Sequence, residues 1–141
     1  MKTQVHMLIA LVAIIGFFET SATAQTGQLT ANIPFEFSVG SKKLPAGEYT
    51  IKCTNPASDL KVLQLQTRDG RKVAMVQTSS VIGKVRDDAR LVFNRYGNEY
   101  FFSQAWLPAD DIGMQAPKAK IERGRLAGTK PKIEIVSLKS R

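Results

Sequence analysis

Histidine and cysteine are each present once in this 141-residue chain, as His6 and Cys53. Beyond position 6 there is no imidazole for a Ser–His or Cys–His nucleophile pair, a general base or a His-containing metal site. Catalysis by lysine, tyrosine or carboxylate remains open. A lone thiol forms no internal disulfide. Cys53 is therefore an intermolecular bridge or reactive thiol, or else a small buried hydrophobe. It continues the alternation Tyr49, Ile51, Cys53, opposite Glu48, Thr50, Lys52 and Thr54, which favours burial. Neither GxGxxG nor GxxxxGK[ST] occurs, so no phosphate cradle or other cofactor motif is written in the chain. No apolar run reaches the roughly 20 residues that a spanning helix requires.

The longest apolar run, Met7 to Phe18, follows a short polar start carrying Lys2 and precedes the small residues Ser21-Ala22-Thr23-Ala24. This pattern predicts a cleavable signal peptide over residues 1–24, with Ala22 and Ala24 at the positions where signal peptidase needs small side chains. Cleavage between Ala24 and Gln25 would leave one exported domain over 25–141, periplasmic or extracellular, with no transmembrane segment. Its loss removes His6 together with Lys2 and Glu19, so the net charge stays at +8.

The charge is uneven. Residues 25–116 carry 11 basic and 9 acidic side chains, whereas residues 117–141 carry 8 basic and 2 acidic ones. Lys118, Lys120, Arg123 and Arg125 open that basic segment. The expected partners outside the cytoplasm are anionic: lipid head groups, lipopolysaccharide, acidic polysaccharide or a wall polymer, or else another envelope protein. A solvated end that serves only solubility is the alternative.

Period-two alternation dominates the body and predicts strands. Ile33, Phe35, Phe37 and Val39 share one face, and Pro34 marks an edge or an irregular start. A turn over residues 40–43 leads, through Leu44-Pro45-Ala46-Gly47, to a second strand at 48–54. Residues 60–67 slip phase, as at a bulge. Asp69-Gly70 predicts a type I′ hairpin into 72–78, and residues 81–85 a further short strand. Residues 91–95 and 99–106 form a second hairpin through Tyr96-Gly97-Asn98. On its return strand Tyr100, Phe102 and Trp106 are expected on one face, and Phe101, Ser103 and Ala105 on the other. A helix is expected over 117–127 and a last strand over 132–138. The fold class is all-β: one antiparallel β-sandwich or small β-barrel of seven or eight strands with one short C-terminal helix.

Two adjacent carboxylate pairs, Asp87-Asp88 and Asp110-Asp111, fall in predicted turns and read as solvated surface. A hydrolase acting on extracellular polysaccharide would need two of Glu36, Glu48, Glu99, Asp110 and Asp111 to converge. The aromatic cluster of Tyr96, Phe101 and Trp106, with Arg95 beside it, is either core or a face that stacks on a sugar or a partner. Nucleic acid is excluded as a ligand by the expectation of export.

Several segments resemble a group of small secreted bacterial proteins of unknown function. They are Ala31-Asn32-Ile33-Pro34-Phe35-Glu36-Phe37 with Val39-Gly40, Leu44-Pro45-Ala46-Gly47-Glu48-Tyr49, Phe93-Asn94-Arg95-Tyr96-Gly97-Asn98 with Tyr100-Phe101, and Glu122-Arg123 with Leu126-Ala127. They span roughly residues 30–127. The resemblance implies export and a compact β-fold and brings no catalytic residues with it. The residues expected to bind a ligand are thus Arg95, Tyr96, Phe101, Trp106, Lys118, Lys120, Arg123 and Arg125, in a non-enzymatic protein.

Overall fold

Eleven strands and one four-residue helix follow one another along the chain in the computed structural model, which describes residues 28–140. The signal peptide expected over residues 1–24, with its cleavage point between Ala24 and Gln25, lies outside the described residues. The strands are β1 (Leu29–Ile33), β2 (Phe37–Val39), β3 (Lys42–Leu44), β4 (Gly47–Cys53), β5 (Lys61–Thr67), β6 (Lys72–Ile82), β7 (Arg90–Tyr96), β8 (Glu99–Trp106), β9 (Ile112–Gln115), β10 (Lys132–Ser137) and β11 (Lys139–Ser140). The helix α1 is Lys120–Arg123. Setting aside the strands of three residues or fewer leaves eight, and the class is the all-β one expected.

Two layers share β6. Its first part, Lys72 to Thr78, pairs with β5 in a layer ordered β5-β4-β1-β11. Its second part, Ser79 to Ile82, pairs with β9 in a layer ordered β9-β8-β7-β10. We call these sheet A and sheet B. All these pairings are antiparallel; β2 forms a hairpin with β3 and one parallel bridge, Ser38 to Phe101, with β8. On the far side, Leu138 alone separates β10 at the edge of sheet B from β11 at the edge of sheet A, and its N–H donates to Ala89 O at 2.8 Å.

The core lies between the layers and follows from alternation. Ala31 and Ile33, Phe37 and Val39, Tyr49 and Ile51, Leu63 and Leu65, Leu91 and Phe93 all point inward. Phe93 has no exposed surface, and the rings of Phe35, Phe37 and Phe102 surround it edge-on at centroid distances of 5.1, 5.5 and 6.0 Å. Cys53 is half-buried against this core. The turn before β4 is fastened by the Tyr49 hydroxyl, which donates to Pro45 O at 2.6 Å.

Several local expectations are corrected. The strand expected from Ile33 to Val39 breaks at Pro34, which cannot donate to a ladder, although its inward phase resumes at Phe37. Lys42 and Lys43 belong to β3 rather than to the preceding turn. Residues 72–82 form one strand, not a strand to 78 and another from 81. The slip in β5 falls between Leu65 and Gln66. The Asp69-Gly70 hairpin is not type I′, because only Gly70 has positive φ there (84°). Gly70 N–H donates to Thr67 O and Thr67 N–H to Arg71 O, a three-residue loop ending in a left-handed glycine.

The helix is much shorter than the expected 117–127. No side chain at Ala119 caps it, and it stops where Gly124 donates back to Lys120 O at 3.0 Å. The basic segment is likewise no free end. Residues 119–126 lie on the outer face of sheet B, and residues 132–140 supply β10 and β11.

Candidate functional site

The outer face of sheet B holds a broad concavity. Along β7 the inward Leu91 and Phe93 alternate with Arg90, Val92, Asn94 and Tyr96, which point outward. On β8, Val92 pairs with Gln104 while Phe93 pairs with Phe102, so Ser103 is an extra residue on that strand. This bulge reverses the phase of everything beyond it. Ala105 therefore turns into the core and Trp106 out of it. The expectation that Trp106 shares a face with Tyr100 and Phe102 is corrected on this ground.

Trp106 lies on a floor made by two glycines. Gly113 pairs with Val81, which places it on the same face as Gly83, and Gly83 N–H extends the ladder by donating to Asp111 O at 2.8 Å. A Cβ on Gly83 would fall 2.3 Å from the indole, and one on Gly113 would fall 2.7 Å from it. The Arg90 guanidinium lies over the ring, 5.0 Å from its centroid, a favourable cation–π arrangement. The indole N–H donates to Gln104 Oε1 at 3.0 Å. Gly113→Ala is expected to displace the indole and to cost about 2 kcal/mol, as overpacking typically does. Urea denaturation followed by tryptophan fluorescence checks this; the native emission should shift to the red because the only tryptophan becomes solvated.

Farther along the same face a carboxylate is clasped. Glu122, only 4% exposed, accepts from Asn94 Nδ2 at 3.1 Å and from the Tyr96 hydroxyl at 3.3 Å through Oε1, and from Ala119 N–H at 2.8 Å through Oε2. Beside it Tyr96, Phe101, Ala119 and Leu126 form a small second core. Burial first, then the Glu122 charge, pushes the Tyr96 phenol above its ordinary range. A raised phenol pKa contributes stability that is complete below the unfolded value of about 10 and is lost as pH rises through the folded one.

Between the indole and the clasp runs a groove of about 500 Å³. Lys84, Arg86, Arg90 and Lys118 bring cations to it, and Ile133 and Ile135 wall it on the β10 side while remaining 59% and 52% exposed. Asn94, Ser103, Gln104 and Gln115 add uncharged polar groups. Glu122 is the one acidic residue that lines it, and both its oxygens are engaged. Arg86 is oriented by Asp88 at 2.8 Å, and that hydrogen bond holds the Asp88 carboxyl below its usual range.

The eight residues expected to bind a ligand separate in space. Trp106 and Lys118 line the groove. Tyr96 and Phe101 are buried with Ala119 and Leu126 in the small second core. Arg95 lies over the Tyr100 ring at 5.3 Å and donates to Gly97 O; with Tyr96, Lys130 and Lys132 it lines a second depression of about 430 Å³. Arg125 is paired with Glu99 at 2.7 Å, and Lys120 and Arg123 are exposed on α1. Lys84, Arg86, Arg90 and Gln104 carried no sequence signal as a group. Only the hairpin register, which sets Arg90 opposite Trp106, would have linked two of the groove's residues.

The acidic side chains are dispersed. Glu36 and Glu99 do line one common depression, but its volume of about 90 Å³ has room for only about three waters. Each is also paired with a cation, Lys43 at 3.3 Å and Arg125 at 2.7 Å. Among the described residues no three His, Cys, Asp or Glu side chains gather as a metal site requires, and no helix is long and apolar enough to cross a membrane. Comparison of the chain with protein-family models, with curated proteins and with solved structures finds no match.

Proposed function

We propose that the chain is an exported, non-enzymatic β-domain that binds anionic polymers of the cell envelope or the extracellular space through the groove on sheet B. One observation carries this reading: four cationic side chains line the groove, and the single carboxylate among them is internally saturated. Arg90 is held by Trp106, and Arg86 by Asp88, so both charges are positioned rather than free to wander. The +6 excess of residues 117–141 adds a long-range attraction. Export rests on the signal-peptide pattern of residues 1–24.

The test is charge removal without deletion, because residues 117–141 supply two strands of the fold. Lys84→Gln, Arg86→Gln and Lys118→Gln together remove three exposed cations, and exposed substitutions of this kind rarely disturb stability beyond about 0.5 kcal/mol. At about 0.7 kcal/mol for each exposed charge contact, affinity for an anionic polymer falls roughly thirtyfold. Salt elution from immobilised dextran sulfate reads this directly. Elution at the wild-type salt concentration would remove the groove from the account.

A further inference from the structure

We infer that the polymer taken by the groove is a carbohydrate, an acidic polysaccharide whose hydroxyls are met by the amides of the groove floor while its charges meet the rim. The inference rests on the proposed reading of the groove as an anion site and adds the chemical class. Two floor amides are oriented from within the protein. Gln104 accepts the Trp106 indole N–H through Oε1, which leaves its NH₂ to donate outward. Asn94 donates Nδ2 to Glu122, which leaves Oδ1 to accept. Among the described residues the only buried side-chain polar atom without a partner is Thr30 Oγ1, so the free ends of Asn94 and Gln104 are solvent-reached. Gln115 and Ser103 lie beside them on the same floor.

A fixed donor and a fixed acceptor on one floor suit the hydroxyls of a sugar, which both donate and accept. Phosphate oxygens only accept, and would leave the Asn94 carbonyl unmatched. The β10 wall of Ile133 and Ile135 offers an apolar surface to the C–H face of a sugar ring. Lys84, Arg86 and Lys118 are exposed where carboxylate or sulfate groups of such a polymer would sit. The volume, about 500 Å³, lies within the roughly 300–1,000 Å³ range of sites for small ligands.

Binding of polygalacturonate oligomers, polyphosphate and vesicles rich in anionic lipid is compared by calorimetry at one salt concentration. The full mature chain is used, with variants Gln104→Met and Gln115→Met. Among the described residues Gln115 makes no side-chain hydrogen bond, so its variant tests the floor even if Gln104→Met disturbs Trp106. Polygalacturonate is expected to bind most tightly, and each variant to weaken it about five- to tenfold, the loss of one hydrogen bond. Equal or tighter binding of polyphosphate or vesicles, lost in the three-cation variant, would overturn the carbohydrate assignment and leave the anion site standing. Binding to none of the three probes would overturn both.

Discussion

Phe93→Ala should cost about 4 kcal/mol, the middle of the range for removing a fully buried phenylalanine. The residue has no exposed surface and three aromatic rings meet it edge-on, so the cavity left behind cannot close by a simple shift of one neighbour. Through Phe37 the cluster also reaches the other layer, since that ring meets Tyr49 of β4 edge-on at 5.4 Å. A domain of this size has a total stability of about 5–15 kcal/mol, so the variant should stand near the edge of unfolding. Urea denaturation gives the value from the midpoint, with an unchanged slope showing that the denatured state is the same. A loss below about 1.5 kcal/mol, within the range of ordinary substitutions, would contradict the core described.

Glu122→Ala should cost about 3 kcal/mol, and the cost should be local. The substitution takes the acceptor from Asn94 Nδ2, the Tyr96 hydroxyl and Ala119 N–H at once, and each orphaned buried donor costs about 1–3 kcal/mol. The sum is reduced because the segment at 119–126 can lift and let water in. Lifting it uncovers Tyr96 and Phe101. Amide exchange should therefore accelerate over residues 119–126 while β7 and β8 keep their protection. Glu122→Gln retains one carbonyl oxygen and should fall between wild type and alanine. Uniform acceleration across both sheets would mean that the clasp holds the whole fold rather than this segment.

Much of the architecture was legible because inward and outward residues alternate with period two. The inward face of β4 and the hairpins at Asp69-Gly70 and Gly97-Asn98 could be placed from neighbouring residues alone. Gly97, with φ of 63°, opens a two-residue loop that closes Tyr96 onto Glu99. What escaped was decided by partners distant in sequence. β9 is four residues with glycine in it, and only pairing with β6 and β8 makes it a strand. The Ser103 bulge, invisible to alternation, sent Trp106 to the opposite face. The groove draws on residues from Gly83 to Ile135, and no local pattern joins Lys84 to Gln104 or Lys118. The aromatic cluster drew attention because it is dense, yet its rings are buried beneath Ala119 and Leu126 or held by Arg90. The basic segment was legible as charge but not as structure, since its strands belong to the sheets.

The most direct test is a nuclear magnetic resonance titration of isotope-labelled residues 25–141 with an anionic polysaccharide oligomer. Shifts should concentrate on Lys84, Arg86, Gln104, Lys118 and the Trp106 indole N–H, and leave the hairpin at Arg68, Arg71 and Lys72 on the far end of sheet A unmoved. Shifts centred on that basic hairpin, with the Trp106 indole N–H unchanged, would contradict the placement of the binding surface on sheet B.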